Sequence, residues 1–159
     1  YRAKCKLILA GTFSTNAYKA KLEAMKEYSI VDYRGYCQRK EVDEILSESN
    51  IGVALLLNQG QYHKTDNMPT KVYEYMQKGL PVIIYDALKP RQVLEKYRFG
   101  IAVNPEKIDE IIGTINYIKD HPEEAIKMGQ EGRKAVLEEY NWEKESRKLF
   151  DLYKNVLEQ

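Results

Sequence analysis

Residues 66–83, Asp-Asn-Met-Pro-Thr-Lys-Val-Tyr-Glu-Tyr-Met-Gln-Lys-Gly-Leu-Pro-Val-Ile, hold the side chains with the clearest chemistry. They read as a polar loop, a helix opened by Pro69, a stop at Gly79 and a strand. Proline suits the first turn of a helix because its missing N–H would be unpaired there. The N–H groups of Thr70, Lys71 and Val72 then point out of the helix N-terminus, a geometry suited to a phosphate or diphosphate. Thr70 adds a hydroxyl and Lys71 a positive charge. Glu74 lies one turn further, flanked in sequence by Val72, Tyr73, Tyr75 and Met76, an apolar setting in which an unpaired charge is costly. A carboxylate accepts two hydrogen bonds, and the 2′- and 3′-hydroxyls of a ribose offer two donors. A diphosphate at the helix tip and a ribose at Glu74 make one ligand, a nucleoside diphosphate. The plainer alternative is a solvated helix charge, since Glu74 stands at i, i+3 from Lys71 and i, i+4 from Lys78.

The elements that must position these residues alternate strand and helix. Residues 5–10 are an apolar run ending at Gly11, followed by a helix over 15–28 with Tyr18, Leu22, Met25 and Tyr28 on one face. A weaker strand over 30–34 ends at Gly35, and a helix over 39–48 turns Val42, Ile45 and Leu46 inward. Residues 51–57 are the most hydrophobic segment and the candidate central strand. After the loop 58–69 come a helix over 70–78, a strand ending at Asp86, a helix over 90–97 and a strand over 100–103. Three helices close the chain. Ile108, Ile111, Ile112, Ile115 and Ile118 mark the first, Pro122 opens the second, which runs to about Tyr140, and Asn141 caps the third. The stripe of the last helix, Trp142, Leu149, Phe150, Tyr153, Val156 and Leu157, reads as core by default. The alternation predicts one α/β domain over 1–159: a three-layer, Rossmann-like parallel sheet with helices on both faces. Ligands bind such sheets at the carboxyl ends of the strands, here residues 11–14, 35–38, 58–71 and 86–90.

Composition excludes other classes. The chain has 159 residues, 43% hydrophobic and 31% charged, with 25 Lys+Arg against 24 Asp+Glu. That balance argues against a dedicated nucleic-acid binder. No apolar run approaches the ~18 residues of a membrane span. Cys5 and Cys37 have no metal-site spacing and make no disulfide framework, which fits a cytoplasmic location. No P-loop, GxGxxG or Asp-x-Asp occurs, so the usual carboxylate pair for a divalent metal on a sugar nucleotide is missing. No metal or other cofactor is expected. The chain opens at Tyr1 and almost at once enters a strand, as a piece cut from a longer protein would.

Pro69-Thr70-Lys71-Val72-Tyr73-Glu74-Tyr75-Met76-Gln77-Lys78-Gly79-Leu80-Pro81-Val82-Ile83 resembles the donor-binding signature of the retaining, GT-B-fold glycosyltransferases of family 4 (group 1). Residues 6–11 (KLILAG), residues 31–36 (VDYRGY) with 41–46 (EVDEIL), Met128-Gly-x-x-Gly-Arg133 and Tyr140-Asn141-Trp142 resemble other parts of that family's carboxyl-terminal domain, so the likeness covers essentially the whole chain. It implies that Glu74 binds the donor ribose and that Pro69, Thr70 and Lys71 lie against the diphosphate. Asp66 falls where the family has a sugar-contacting residue, there usually the longer Glu. Gly35, Tyr36, Cys37 and Gln38 match the loop bordering the base. The family's diphosphate-neutralising Arg and Lys come from an upstream unit that nothing in residues 1–11 matches. By the resemblance, the donor is a nucleotide-sugar used without a metal, and the intact enzyme transfers a hexose to a glycan or lipid-linked acceptor with retention. A missing amino-terminal domain of the same chain would bind the acceptor, and this chain alone would be inactive. The resemblance also allows peripheral membrane association of the intact protein, and in such enzymes the last helix reaches back to the other domain, which would leave part of its stripe exposed in this chain. The rival readings are a sugar-nucleotide 2-epimerase, for which only His63 lies in a suitable loop, and a non-catalytic binding or scaffold module.

Overall fold

In a computed structural model of the chain, residues 5–57 and 67–158 are described. The chain divides into two compact units, residues 1–49 and 50–159.

The first unit contains β1 (Leu7–Ala10), α1 (Asn16–Glu23), a 3₁₀ turn (Lys26–Ile30), β2 (Val31–Gly35) and α2 (Arg39–Glu48). β1 and β2 pair in parallel, with a register shift between Leu9 and Ala10. Thr15 caps α1 by accepting from the Tyr18 N–H at 3.1 Å. The helix expected over 15–28 breaks because Met25 is extended (φ −74°, ψ 135°), and a separate 3₁₀ turn follows. Tyr18 and Met25 are consequently exposed, and only Leu22 and Tyr28 of that stripe are half-buried. In α2, Leu46 is buried and Val42 and Ile45 are half-buried, as the spacing requires.

The second unit contains β3 (Gly52–Ala54), α3 (Thr70–Lys78), β4 (Val82–Tyr85), α4 (Leu88–Tyr97), β5 (Gly100–Val103), α5 (Ile108–Asp120), α6 (Pro122–Glu138) and α7 (Trp142–Leu157). Its sheet is parallel with order β3-β4-β5. The middle strand is therefore β4, not the more hydrophobic segment 51–57, which pairs only over three residues and leaves Leu57 exposed. All four residues of β4 are fully buried, as a strand covered on both faces must be. Alternation over Val82–Ile84 splits the core, and Tyr85 joins the cluster of Val82 and Ile84. Val82 and Ile84 pack with Val72, Met76, Val93, Tyr97, Phe99 and Ala135 from α3, α4, α6 and the approach to β5. Ile83 packs with Val103 and Ile118, flanked by Ile101, Ile111 and Ile115. Each large apolar side chain so buried contributes about 1.5–3 kcal/mol.

Two helix expectations need correction. Ile108 opens α5 but is exposed, because the inward stripe of that helix is carried by Ile111, Ile115 and Ile118. The stripe of α7 is not core: its large apolar residues are 42–83% exposed and no residue of the helix is buried. The cap is as expected, Asn141 Oδ1 accepting from the Lys144 N–H at 3.0 Å.

Candidate functional site

The helix α3 joins two adjacent parallel strands, so it runs back along the sheet and its N-terminus lies at the carboxyl ends of the strands. Pro69 is its N-cap residue, one step earlier than the first helical position, with extended backbone (φ −56°, ψ 142°). Its carbonyl accepts from the Val72 N–H at 2.9 Å. Val72 is thus not one of the outward-pointing donors, and its side chain is fully buried. The Thr70 and Lys71 N–H groups have no acceptor among the described residues. Two amides, not three, are left at the tip for an anion.

At 100° per residue, Thr70, Lys71, Glu74 and Lys78 fall on one side of α3, and Val72 and Met76 on the other. The burial agrees: Val72 and Met76 are buried, Thr70, Lys71 and Lys78 exposed, Glu74 half-buried. The apolar neighbours that flank Glu74 in sequence therefore lie on other faces of the helix. Glu74 is a member of the polar face, half-buried and engaged with another group. Its charge and, more strongly, burial push the Tyr75 phenol above its ordinary value. Desolvation by the surrounding protein lowers the pKa of Lys71, although part of its side chain reaches solvent.

The helix is fixed at both ends. Gly79 takes the left-handed conformation (φ 74°), its N–H bonds the Met76 carbonyl, and the Leu80 N–H bonds the Tyr75 carbonyl, each at 3.0 Å. This αL cap explains the glycine of the signature. Beneath α3, α6 makes a close approach: a Cβ on Gly129 would stand 1.9 Å from the Gly79 carbonyl oxygen, and one on Gly132 would press on Phe99 and Met76. The sequence Met128-Gly-x-x-Gly-Arg133 is therefore a packing device holding α3 in place. The Tyr73 ring lies 5.4 Å from that of Tyr140, tilted by 42°. This contact is not predictable from spacing, since Tyr140 is 67 residues away. At the carboxyl end of β4, Asp86 is gripped by Arg91 through two hydrogen bonds, which hold its carboxyl below the usual range.

In the first unit, β2 ends at Gly35, which has φ 64°. Tyr36 is 77% exposed. Cys37 is half-buried, its thiol directed at the Arg34 and Gly35 carbonyls at 3.7 Å. Gln38 is the N-cap residue of α2, its N–H donating to Glu41 Oε2 at 2.6 Å. Pro69, Thr70, Lys71 and Glu74 thus share one helix end, whereas Gly35, Tyr36, Cys37 and Gln38 form one turn of the other unit. Asp66 and His63 lie outside the described residues.

A Rossmann-like parallel α/β architecture with a polar helix tip at the strand ends defines a class of nucleotide-handling folds. The chain belongs to the glycosyl transferases group 1, whose family profile matches residues 2–135. No curated protein matches it in sequence. Among solved structures it is similar to sucrose-phosphate synthase from Thermosynechococcus elongatus, with a TM-score of 0.79, 22% identity and coverage of 96% of this chain and 38% of that one. It is also similar to Anabaena Alr3699/HepE in complex with UDP (TM-score 0.78, 13% identity, 95% of this chain and 41% of that one). For S. aureus TarM in complex with Fondaparinux, alpha-GlcNAc-glycerol and UDP the values are 0.73, 20%, 93% and 29%. The chain thus spans about two fifths or less of the length of these structures. No helix among the described residues is long and apolar enough to cross a membrane.

Proposed function

We propose that this chain is the donor-binding half of a GT-B glycosyltransferase that takes a hexose from a nucleoside-diphosphate sugar and passes it, with retention, to a glycan or lipid-linked acceptor. The observation that carries this reading is the placing of the Thr70 and Lys71 amides, the Lys71 ammonium and Glu74 on one face and tip of α3, at the carboxyl ends of parallel strands. The two amides and Lys71 meet the diphosphate, and the Glu74 carboxylate accepts from the ribose diol. The loop of Gly35, Tyr36, Cys37 and Gln38 borders the base. The structural neighbours solved with UDP or UDP-glucose support a nucleotide-sugar as the donor. Catalysis comes mainly from electrostatic stabilisation of the departing nucleoside diphosphate, without a bound metal. Acceptor binding and the remaining charge on the leaving group belong to other parts of a longer, cytoplasmic protein that associates peripherally with a membrane, so this chain alone does not turn over.

The test is Glu74→Ala in the full-length enzyme. A charged hydrogen-bonding group lost from a ligand costs about 1.5–3 kcal/mol, so the donor KM rises about 10- to 100-fold, and calorimetry shows a matching loss of UDP affinity. Unchanged donor kinetics would remove Glu74 from the site.

A further inference from the structure

The loop after β1 is fastened to the loop after β2 by both backbone groups of a single residue. The Gly11 N–H donates to the Gly35 carbonyl at 2.7 Å, and the Gly11 carbonyl accepts from the Tyr33 hydroxyl at 2.9 Å. The Tyr33 ring is itself held, 5.0 Å from Phe13 and with the Lys19 ammonium 5.3 Å from its centroid. The register shift at Leu9 and Ala10 brings the end of β1 opposite Gly35. Gly11 (φ 128°) and Gly35 (φ 64°) both adopt conformations that L side chains avoid. A Cβ on either would meet no atom within 4 Å. Packing therefore does not demand glycine at these positions. They present bare backbone at the carboxyl ends of their strands, where a ligand can approach closely.

We infer that Gly11 is part of the donor wall and that Tyr33 is a positioning residue: its hydroxyl ties Gly11 to β2 and so fixes the base-bordering turn of Gly35, Tyr36, Cys37 and Gln38. This inference rests on the donor-binding reading above. Tyr33 does not touch the donor. It makes two loops from separate βα units move as one surface, so the ordering cost falls on folding and not on donor binding.

The experiment uses the full-length enzyme with Tyr33→Phe, which keeps the ring and removes the hydrogen bond. One hydrogen bond of this kind corresponds to about a three- to tenfold change in affinity. The donor KM rises by that factor, while kcat at saturating donor and the acceptor KM stay at parental values. Discrimination among UDP, GDP and ADP in calorimetry narrows. Gly11→Ala, strained at φ 128°, moves the same quantities in the same direction. Unchanged donor KM and unchanged base discrimination in Tyr33→Phe overturn the inference. So does a joint shift of donor KM, acceptor KM and kcat, or a loss of the native circular dichroism, because the bond would then be structural only. Glu74→Ala is measured alongside. If it weakens the donor while Tyr33→Phe does not, the fastening alone fails. If Glu74→Ala changes nothing, the donor-binding reading itself fails.

Discussion

On the proposed reading Lys71 meets the diphosphate at the tip of α3, yet the protein around it disfavours its charge. Desolvation moves its pKa down from the ordinary lysine value of 10.5. An anion at the helix tip favours the protonated ammonium, so donor binding and protonation of Lys71 reinforce each other. Nucleoside-diphosphate affinity therefore falls as pH rises through the lowered lysine value, starting below the pH at which a free lysine would discharge. Calorimetric titration of UDP from about pH 7 to about pH 10 should show that decline, and Lys71→Ala should bind more weakly at neutral pH with the decline removed. A parallel decline in both proteins would take Lys71 out of the phosphate contact. The sequence made Lys71, Thr70 and Glu74 visible because helix-tip chemistry depends on residue type and spacing along one element. It misassigned Val72 because whether an amide is spent on the preceding carbonyl depends on the Pro69 backbone angles. It also put Glu74 among apolar neighbours, since adjacency along the chain is not adjacency on a helix.

The helix that carries these groups is positioned by glycines elsewhere. Gly129 of α6 meets the carbonyl of Gly79, the cap of α3, with no room for a methyl group, whereas Gly113 of α5 is exposed with nothing around it. The two positions separate packing from propensity. Gly129→Ala forces α6 away from α3 and should destabilise by about 1–3 kcal/mol, with some loss of donor affinity because α3 moves with its cap. Gly113→Ala should stabilise by about 0.5–1 kcal/mol, the helix propensity gain alone. Urea unfolding of both variants checks the contrast. A Gly129→Ala protein as stable as its parent would refute the close approach. At this scale the helices bounded by caps were the most legible: α2 and α3 fall where the residue pattern puts them, because Gly79 and the polar helix starts are local signals. The break of the first helix at Met25 was not legible, since four apolar residues at helical spacing read as one stripe whether or not the backbone stays helical. The central position of β4 was also hidden. Hydrophobicity marks a buried strand, but which buried strand is in the middle is decided by pairing across the sheet.

Across the whole molecule, the unreadable feature was what covers an apolar stripe. The faces of α6 and α7 have similar periodicity, yet Gly129, Gly132 and Ala135 of α6 are buried while the stripe of α7 is open. Periodicity gives the face and not its partner. A property that is spread over the fold is the alkaline limit of stability. Of the 13 tyrosines, Tyr140 is pushed up to about 12 by burial and the nearby Glu139. Burial likewise raises Tyr73, Tyr75 and Tyr97, and Tyr117 is raised first by its bond to Glu124. Each remains protonated in the fold at a pH where the unfolded chain, titrating near 10.0, has lost the proton. The unfolded state then binds fewer protons, so stability falls as pH rises. This contribution is complete below about pH 10 and is lost on the way to about pH 12. Lys96, raised by Glu139 and Tyr97, acts in the same direction, and the lowered Lys71 opposes them. The urea midpoint should therefore be level up to about pH 9 and drop steeply above about pH 10. In Tyr140→Phe, which keeps the ring against Tyr73 and Tyr97 but has no proton to lose, the drop should be shallower. An identical slope in the two proteins would mean that the hydroxyl of Tyr140 titrates as freely in the fold as in the unfolded chain.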